Sequence, residues 1–377
     1  MSRVVLFHVV HLLGHGHIHR ARNLVKAMKA EGLTVHIAHG GMSVEGFDYG
    51  ADSVTYLPPL RAEDATYAKV LNGDGAPVTN DDKAERERQL LALFQRVRPD
   101  VVLMEAWPFG RRVVRGELTA LCTAAREAGA ACITSVRDIL QEGRKPGRNE
   151  ETRDAVRDHI DTVLVHSDPA LITLDATFPF APQIADKLHY TGFVVADVPT
   201  ATDAQTYDTI VTAGGGAFGD TLVRTAREVA SDADEAQRDW CIVDRGGVLG
   251  NNPLASPGLT NLAAHLARAR LSISQCGYNT AMDVLAARCR AVFVPHDTTG
   301  QTEQLRRASL LAEKGYGVCL PESELTRSRL QDAICHAREM SIPGHRPGLD
   351  GATRAARIIA SARPANTPAR LQSPAIP

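Results

Sequence analysis

The chain has 377 residues, 44% hydrophobic and 23% charged, with a formal net charge of −2. This is the composition of a globular protein long enough for two ordinary domains, each with its own core. It excludes a basic nucleic-acid binder, since no Lys/Arg block stands out. The opening MSRVVLFHVVHLLGHG is apolar but short, is interrupted by histidines and lacks a small-residue cleavage site. It reads as neither a membrane span nor a secretory leader. Seven scattered cysteines (Cys122, Cys132, Cys241, Cys276, Cys289, Cys319 and Cys335) form no C-x-x-C pair. That pattern suits buried thiols in a reducing cytoplasm better than disulfides or zinc ligands.

In chain order, residues 3–10 read as a strand. Residues 12–32 form a glycine turn feeding an amphipathic helix, and residues 35–40 a second strand, which completes a βαβ unit. The G-H-G-H turn lacks the third glycine of a dinucleotide fingerprint. A strand at 52–57 precedes a polar, Gly-rich stretch to Asp82 that is expected to be a mobile binding loop. A charged helix at 83–98 ends at Pro99. DVVLMEAW is then a strand carrying Glu105 at its C-terminal end, followed by the basic turn PFGRR. A helix over 113–128 and the strand ACITSVRDIL, ending in Arg137 and Asp138, come next. Residues 141–151 form a second candidate mobile loop, before a helix to about 160 and strands at 162–168 and 189–194. The composition of 195–207 is that of a linker.

Beyond the linker the pattern restarts. DTIVTAGGGAFGD is strand and Gly turn, DWCIVDR a strand, and 246–253 a Gly/Asn-rich loop before a helix at 259–269. The next stretch, ARLSISQCGYNTAMDVLAARCRAVFVPHDTTGQTEQLRRASLL, reads strand, tight turn, helix, buried strand, polar loop, helix. Two adjacent strand-to-helix turns bring helix N-termini and free backbone N–H groups to one sheet edge, an anion site. A strand at 317–321, helices at 326–340 and 351–362 and a Pro-rich tail follow, the tail expected to be disordered. The division expected is 1–194, linker 195–207, 208–350, a final helix 351–363 packing back onto the first domain, and tail 364–377. The fold class is α/β, two doubly wound domains facing across a cleft.

SQCGYNTAMD followed by VPHDTTGQTEQLRRA resembles the donor-binding half of the GT-B glycosyltransferases. The family most resembled transfers N-acetylglucosamine to lipid-linked muramyl peptide and includes uncharacterised relatives. The resemblance implies two Rossmann-like domains. It also implies an inverting, metal-independent transfer from a nucleotide-diphosphate sugar, taken as UDP-linked, with no cofactor beyond that co-substrate. The donor would lie on the second domain: Gly277, Tyr278, Asn279 and Thr280 at the diphosphate, Asp283 at the ribose, Glu303 and Gln304 at the sugar. Gly214, Gly215, Gly216 and Ala217 would face them. Two positions depart from the family pattern, Cys276 where a Ser is usual and Arg307 where Asn is common.

On the acceptor side the match to the family's histidine after the Gly turn is His17. A neutral imidazole is suited to deprotonating an acceptor hydroxyl near pH 7, although a histidine there also serves simply to bond backbone in the turn. Glu105 is the rival base, and Gly14, Gly16, Arg111 and Asp138 are candidates for holding the acceptor. Glu105 with Arg111 and Arg112 is equally an ion pair of small value, and Arg137 beside Asp138 carries the same ambiguity. Arg245 and Arg307 are candidates to neutralise diphosphate. The run His15, His17, His19 has the wrong spacing for three imidazoles on one helix face, so no metal is expected. The acceptor is left open between a small molecule and a lipid-linked one. Only Phe109–Leu118 suggests a patch for peripheral membrane contact. A nucleotide-sugar epimerase of the same fold, or a non-catalytic nucleotide-sugar-binding partner of another transferase, stand as alternatives.

Overall fold

The computed structural model describes residues 2–14, 16–64, 69–141, 145–196, 206–213, 219–244, 247–248, 262–297 and 302–364. The Gly turn at 214–217 and Arg245 lie outside them, as does the tail beyond 364. The first domain runs β1 (Val4–Val9), α1 (Gly16–Ala30), β2 (Thr34–Gly41), β3 (Ser53–Ala62), β4 (Val70–Leu71) and α2 (Asn80–Val97). It continues with β5 (Val101–Glu105), α3 (Arg115–Ala128), β6 (Ala131–Arg137), α4 (Arg148–His159), β7 (Thr162–His166) and β8 (Leu188–Tyr190). These strands form one sheet in the order β4-β3-β2-β1-β5-β6-β7-β8, parallel except for β3–β4. Val5, Leu6, Phe7, Val101, Val102 and Leu103 are fully buried. Continuous apolar strands of this kind require helices on both sheet faces.

The second domain runs β9 (Tyr207–Thr212), α5 (Asp220–Ala230), β10 (Trp240–Asp244), β11 (Gly247–Val248), α6 (Leu262–Leu266) and β12 (Ala269–Ser274). Then come α7 (Tyr278–Ala287), β13 (Arg290–Phe293), α8 (Glu303–Glu313), β14 (Val318–Cys319) and α9 (Arg327–Glu339). The sheet order is β11-β10-β9-β12-β13-β14. In each sheet the strand order reverses once, between β1 and β5 in the first and between β9 and β12 in the second. Loops leaving the carboxyl ends of strands at such a reversal diverge and open a crevice. At the reversal in the first domain, β1 leads into residues 10–14 and β5 ends at Glu105.

Of the stretch expected to be a mobile loop between 58 and 82, the described residues 58–64 and 69–82 instead include strand and helix. β3 continues through Pro58 and Pro59, β4 pairs antiparallel with it, and α2 opens at Asn80 behind a Thr79–Asp82 capping box. The two prolines lack N–H donors, and the register shift between His39 and Gly41 on β2 absorbs them. Arg86 of α2 then bonds the Pro58 carbonyl and pins the strand to the helix layer.

The chain crosses between domains twice, back to back. Phe193 N–H donates to Gly348 O at 2.7 Å, and Gly351 N–H donates to Phe193 O at 3.0 Å. A Cβ on Gly192 (φ +83°) would lie 2.7 Å from Gly348 O, and one on Gly351 would lie 2.3 Å from Gly192 O. Only glycine lets these strands of backbone touch. After the second crossing α10 (Gly351–Ser361) lies on the first domain. Ala355, Ala356 and Ile359 share a buried cluster with Ile18, Ala21 and Val25 of α1 and with Val5 and Phe7 of β1. Arg3 donates to Ala360 O at 2.6 Å, placing a cation at the carbonyl end of the helix.

Candidate active site

His17 sits at the second position of α1, straight after the glycine turn from β1. Its Nδ1 lies 2.6 Å from Glu105 Oε1 at the end of β5. The same oxygen accepts from Arg20, one helical turn on from His17, and Glu105 Oε2 stands 4.0 Å from Arg111 Nε. The Glu105 side chain is 1% exposed and that of His17 15%. Desolvation pushes the buried carboxyl up, but the His17 imidazole bonded to it and the Arg20 and Arg111 guanidinium groups outweigh that and hold it well below the usual carboxylate range. Burial, reinforced by the Arg111 charge, lowers His17 to about 3. The pair is therefore a neutral imidazole whose Nδ1–H donates to an ionised carboxylate. Nε2 is left as the acceptor nitrogen.

The turn that carries Glu105 and Arg111 holds non-glycine residues in the left-handed region, Ala106 at φ +66° and Arg111 at φ +57°. Each costs roughly 1–3 kcal/mol and persists only where surrounding structure over-determines it. Here Ala106 N–H donates to Ser135 O, Gly110 N–H to Ala106 O, and the buried Trp107 anchors the turn. Arg111 Nε donates to Val10 O, which ties this turn to the one before His17.

Across the crevice stands α7. Gly277 is its N-cap in extended conformation and no side chain caps it, which leaves the first-turn N–H groups without a described capping partner. Gly16 of the first domain abuts it: a Cβ there would lie 3.5 Å from Asn279 Nδ2. The side chain of Tyr278 does not point to a ligand. It is buried, and its hydroxyl accepts from Val194 N–H at 3.0 Å and donates to His166 O at 3.2 Å, both in the first domain. Arg20 and Arg307 approach its ring at 5.6 and 5.7 Å. Asp283 is driven up to about 7 by burial alone, with no counter-charge among the described residues. Gln304 uses Oε1 to accept from His296 N–H at 3.2 Å.

Glu303 is bridged by Arg137 from the first domain, Nη1–Oε1 and Nη2–Oε2 both at 2.7 Å, and by Arg307 at 3.0 Å. Three sequence expectations are corrected in this region. Asp138 cannot hold an acceptor: it is fully buried, and both its oxygens accept from Arg307, at 2.7 and 2.8 Å. Arg307 cannot meet diphosphate, because its guanidinium is equally buried and its remaining arm bonds Cys276 O at 2.8 Å. Where the family commonly has Asn, the long side chain reaches across to the first domain. Glu105 is not a rival base open to substrate but the buried partner of His17.

The remaining candidates are scattered in role. Gly14 holds φ +70° with open space around it, in the loop leading to His17. Of the histidine run, His17 turns to Glu105 while His19 packs edge-on against Phe47 at 5.3 Å. Among the described residues no group of three potential ligands converges on a metal position. The patch at Phe109–Leu118 is not a membrane face: Phe109, Val114 and Leu118 are buried in the core, and Arg112 pairs with Glu151 at 2.6 Å. No helix among the described residues is long and apolar enough to cross a membrane. Sequence reading missed Arg20, although its spacings of four from Leu24 and eight from Met28 placed it on the buried face of α1.

The fold defined by these two domains is that of the GT-B glycosyltransferases. A glycosyltransferase described as that of kitacinnamycin aligns over 95% of this chain and 96% of its own with a TM-score of 0.62 at 18% identity. The MurG structure from Acinetobacter baumannii aligns over 97% and 96% with a TM-score of 0.56 at 15% identity. Residues 250–342 match the glycosyltransferase family 28 C-terminal domain. Among curated proteins, the chain is 22% identical over 183 residues to the Thermotoga neapolitana UDP-N-acetylglucosamine–N-acetylmuramyl-(pentapeptide) pyrophosphoryl-undecaprenol N-acetylglucosamine transferase. The match covers 46% of this chain and 52% of that protein, so the chain spans about half the length of that relative.

Proposed function

We propose that the protein is a glycosyltransferase that moves a sugar from a nucleotide-diphosphate sugar, taken as UDP-linked, to a hydroxyl or amine of an acceptor by inverting displacement. The donor lies on the second domain and the acceptor on the first. The observation that carries this reading is the His17–Glu105 pair set in one domain opposite the Gly277 N-cap of α7 in the other, where Gly16 lies against Asn279.

The chemistry follows from the groups present. The amides of Gly277 to Thr280 hold the diphosphate, whose charge grows as it leaves. Asp283, partly buried and with no counter-charge among the described residues, gains two hydroxyl donors from a ribose. Glu303 and Gln304 meet the sugar ring. The acceptor oxygen attacks the anomeric carbon as the bond to the diphosphate breaks, and its proton passes to His17 Nε2. The imidazolium so formed keeps its Nδ1–H on ionised Glu105, which stabilises it and fixes the tautomer. No step calls for a metal. Leu13, Met42 and Tyr56 are the exposed large hydrophobics among the described residues. All three lie in the first domain, and they give an acceptor with an apolar body a surface to rest on. Acceptors with such a body include both small molecules and lipid-linked ones.

Calorimetric titration with UDP, dTDP and GDP tests the reading. One nucleotide should bind selectively. Asp283→Ala should weaken that binding, while His17→Ala leaves it nearly intact and abolishes most transfer. Absence of binding to all three would remove the nucleotide-sugar reading, and full turnover by His17→Ala would remove His17 as base.

A further inference from the structure

Glu303 opens α8 in the second domain, yet its carboxylate is fixed from the first. Arg137 ends β6 and meets it with a two-pronged guanidinium contact, both arms at 2.7 Å. Immediately beside it, Asp138 takes the guanidinium of Arg307, one turn along α8 from Glu303, through a second two-pronged contact with both side chains at 0% exposure. Two consecutive residues of one strand end thus grip two residues on one face of one helix. The gripped pairs differ in burial: the Arg137 side chain is 27% exposed and that of Glu303 18%. The inner pair is a structural anchor, whereas the outer pair borders the crevice, with the charges of Arg137 and Glu303 both felt at His17.

We infer that Arg137 is a positioning residue for the donor sugar, supplied across the crevice by the acceptor domain and acting through Glu303. This inference rests on the reading of Glu303 as a sugar contact. A planar fork fixes both the position and the plane of a carboxylate, which a point charge does not. Oε1 of Glu303 is shared by Arg137 and Arg307, while Oε2 accepts from Arg137 and keeps a second lone-pair direction for a sugar hydroxyl. The donor site is then complete only when the two domains are together, which couples sugar orientation to the presence of the acceptor side. A free nucleoside diphosphate, having no sugar, does not use this contact.

The test combines kinetics with a measurement on the ligand-free protein. Arg137→Ala should lower kcat for sugar transfer roughly 10- to 100-fold, as a small misplacement of a reacting group does. Affinity for the bare nucleoside diphosphate should stay within about twofold of wild type, since the same amides bind it. Arg137→Lys should recover only part of the loss. In a cycle with Glu303→Gln, the double variant should be no slower than Glu303→Gln alone. In the ligand-free protein, Arg137→Ala should speed amide hydrogen exchange at the first turn of α8 with the exchange of β6 unchanged. Additive losses in the cycle, full rescue by lysine, or unchanged exchange at α8 would each overturn the inference. The exchange result stands whether or not a nucleotide sugar is turned over, so failure of the nucleotide reading shows separately, as wild-type protein that binds no nucleotide.

Discussion

At the scale of single residues the chemistry rests on two groups whose charge is set by burial. His17 is held neutral down to about pH 3. The unfolded chain, with an ordinary imidazole near 6.5, binds a proton through that window while the folded protein does not. His17 therefore takes stability away as pH falls from about 6.5 toward 3. In catalysis the same shift keeps the base ready throughout the neutral range. The acid limb of kcat/KM should fall well below pH 6.5; a limb centred near 6.5 in wild type would show that the imidazole titrates normally. Asp283 is displaced in the opposite sense, to about 7. Above its unfolded value the folded chain resists ionising it, and the cost is complete above about pH 7. Asp283→Asn should raise Tm at pH 8 by roughly 2–4 °C and weaken nucleotide binding roughly 10- to 100-fold, the loss of hydrogen bonds to a charged acceptor. Nucleotide affinity of the wild type should increase with pH up to about 7 and then flatten, and this dependence should vanish in the variant.

At the scale of elements, α10 is the piece whose sequence position and spatial position disagree most. It follows the second domain in the chain and packs against α1 of the first, with Arg3 at its C-terminal carbonyls. The two tryptophans, Trp107 in the first domain and Trp240 in the second, make each domain separately observable. Ile359→Ala should destabilise by about 2–4 kcal/mol, the usual cost of emptying a fully buried aliphatic site. The unfolding transition reported by Trp107, in a Trp240→Phe background, should move down in temperature. A shift seen only through Trp240 would mean that α10 stabilises the second domain instead. The β3–β4 hairpin is the other element that the residues concealed. Its prolines and glycines read as loop, because the partner strand and the bulge that accommodates them lie some 20 residues away in sequence.

At the scale of the molecule, the two domains are joined by the glycine crossing at 192–194 and 348–351, by the Tyr278 hydroxyl, and by the paired guanidinium contacts on α8. The Arg307–Asp138 pair is fully buried, so salt should screen it little. Asp138→Asn should cost about 3–5 kcal/mol by leaving the Arg307 charge unbalanced. Replacing both partners by apolar residues, Asp138→Leu with Arg307→Met, should recover most of that loss. Denaturant unfolding of the three proteins decides this; a double variant as unstable as the single one would mean the pair acts through its hydrogen bonds to Cys276 and not through charge balance.

Local patterns determined a great deal here. Apolar runs and glycine turns specify two doubly wound halves, and the SQCGYNTAMD and GQTEQLRRA segments specify where a donor edge would lie, because both depend on residues close together in the chain. His17 and Glu105 were legible as candidates for the same reason: Glu105 ends β5 and His17 opens the helix that follows β1, the two strands between which the strand order reverses. Their relation was not legible. A hydrogen bond spanning 88 positions, an ion pair spanning 169 and a tyrosine hydroxyl reaching back 112 are products of tertiary packing, with no periodicity to announce them. Sequence alone offered Glu105 as a base, Asp138 as an acceptor contact and Arg307 as a phosphate contact, all reasonable for exposed charges. Only the packed structure decided that these three are buried, and burial turns a free charge into one half of a pair.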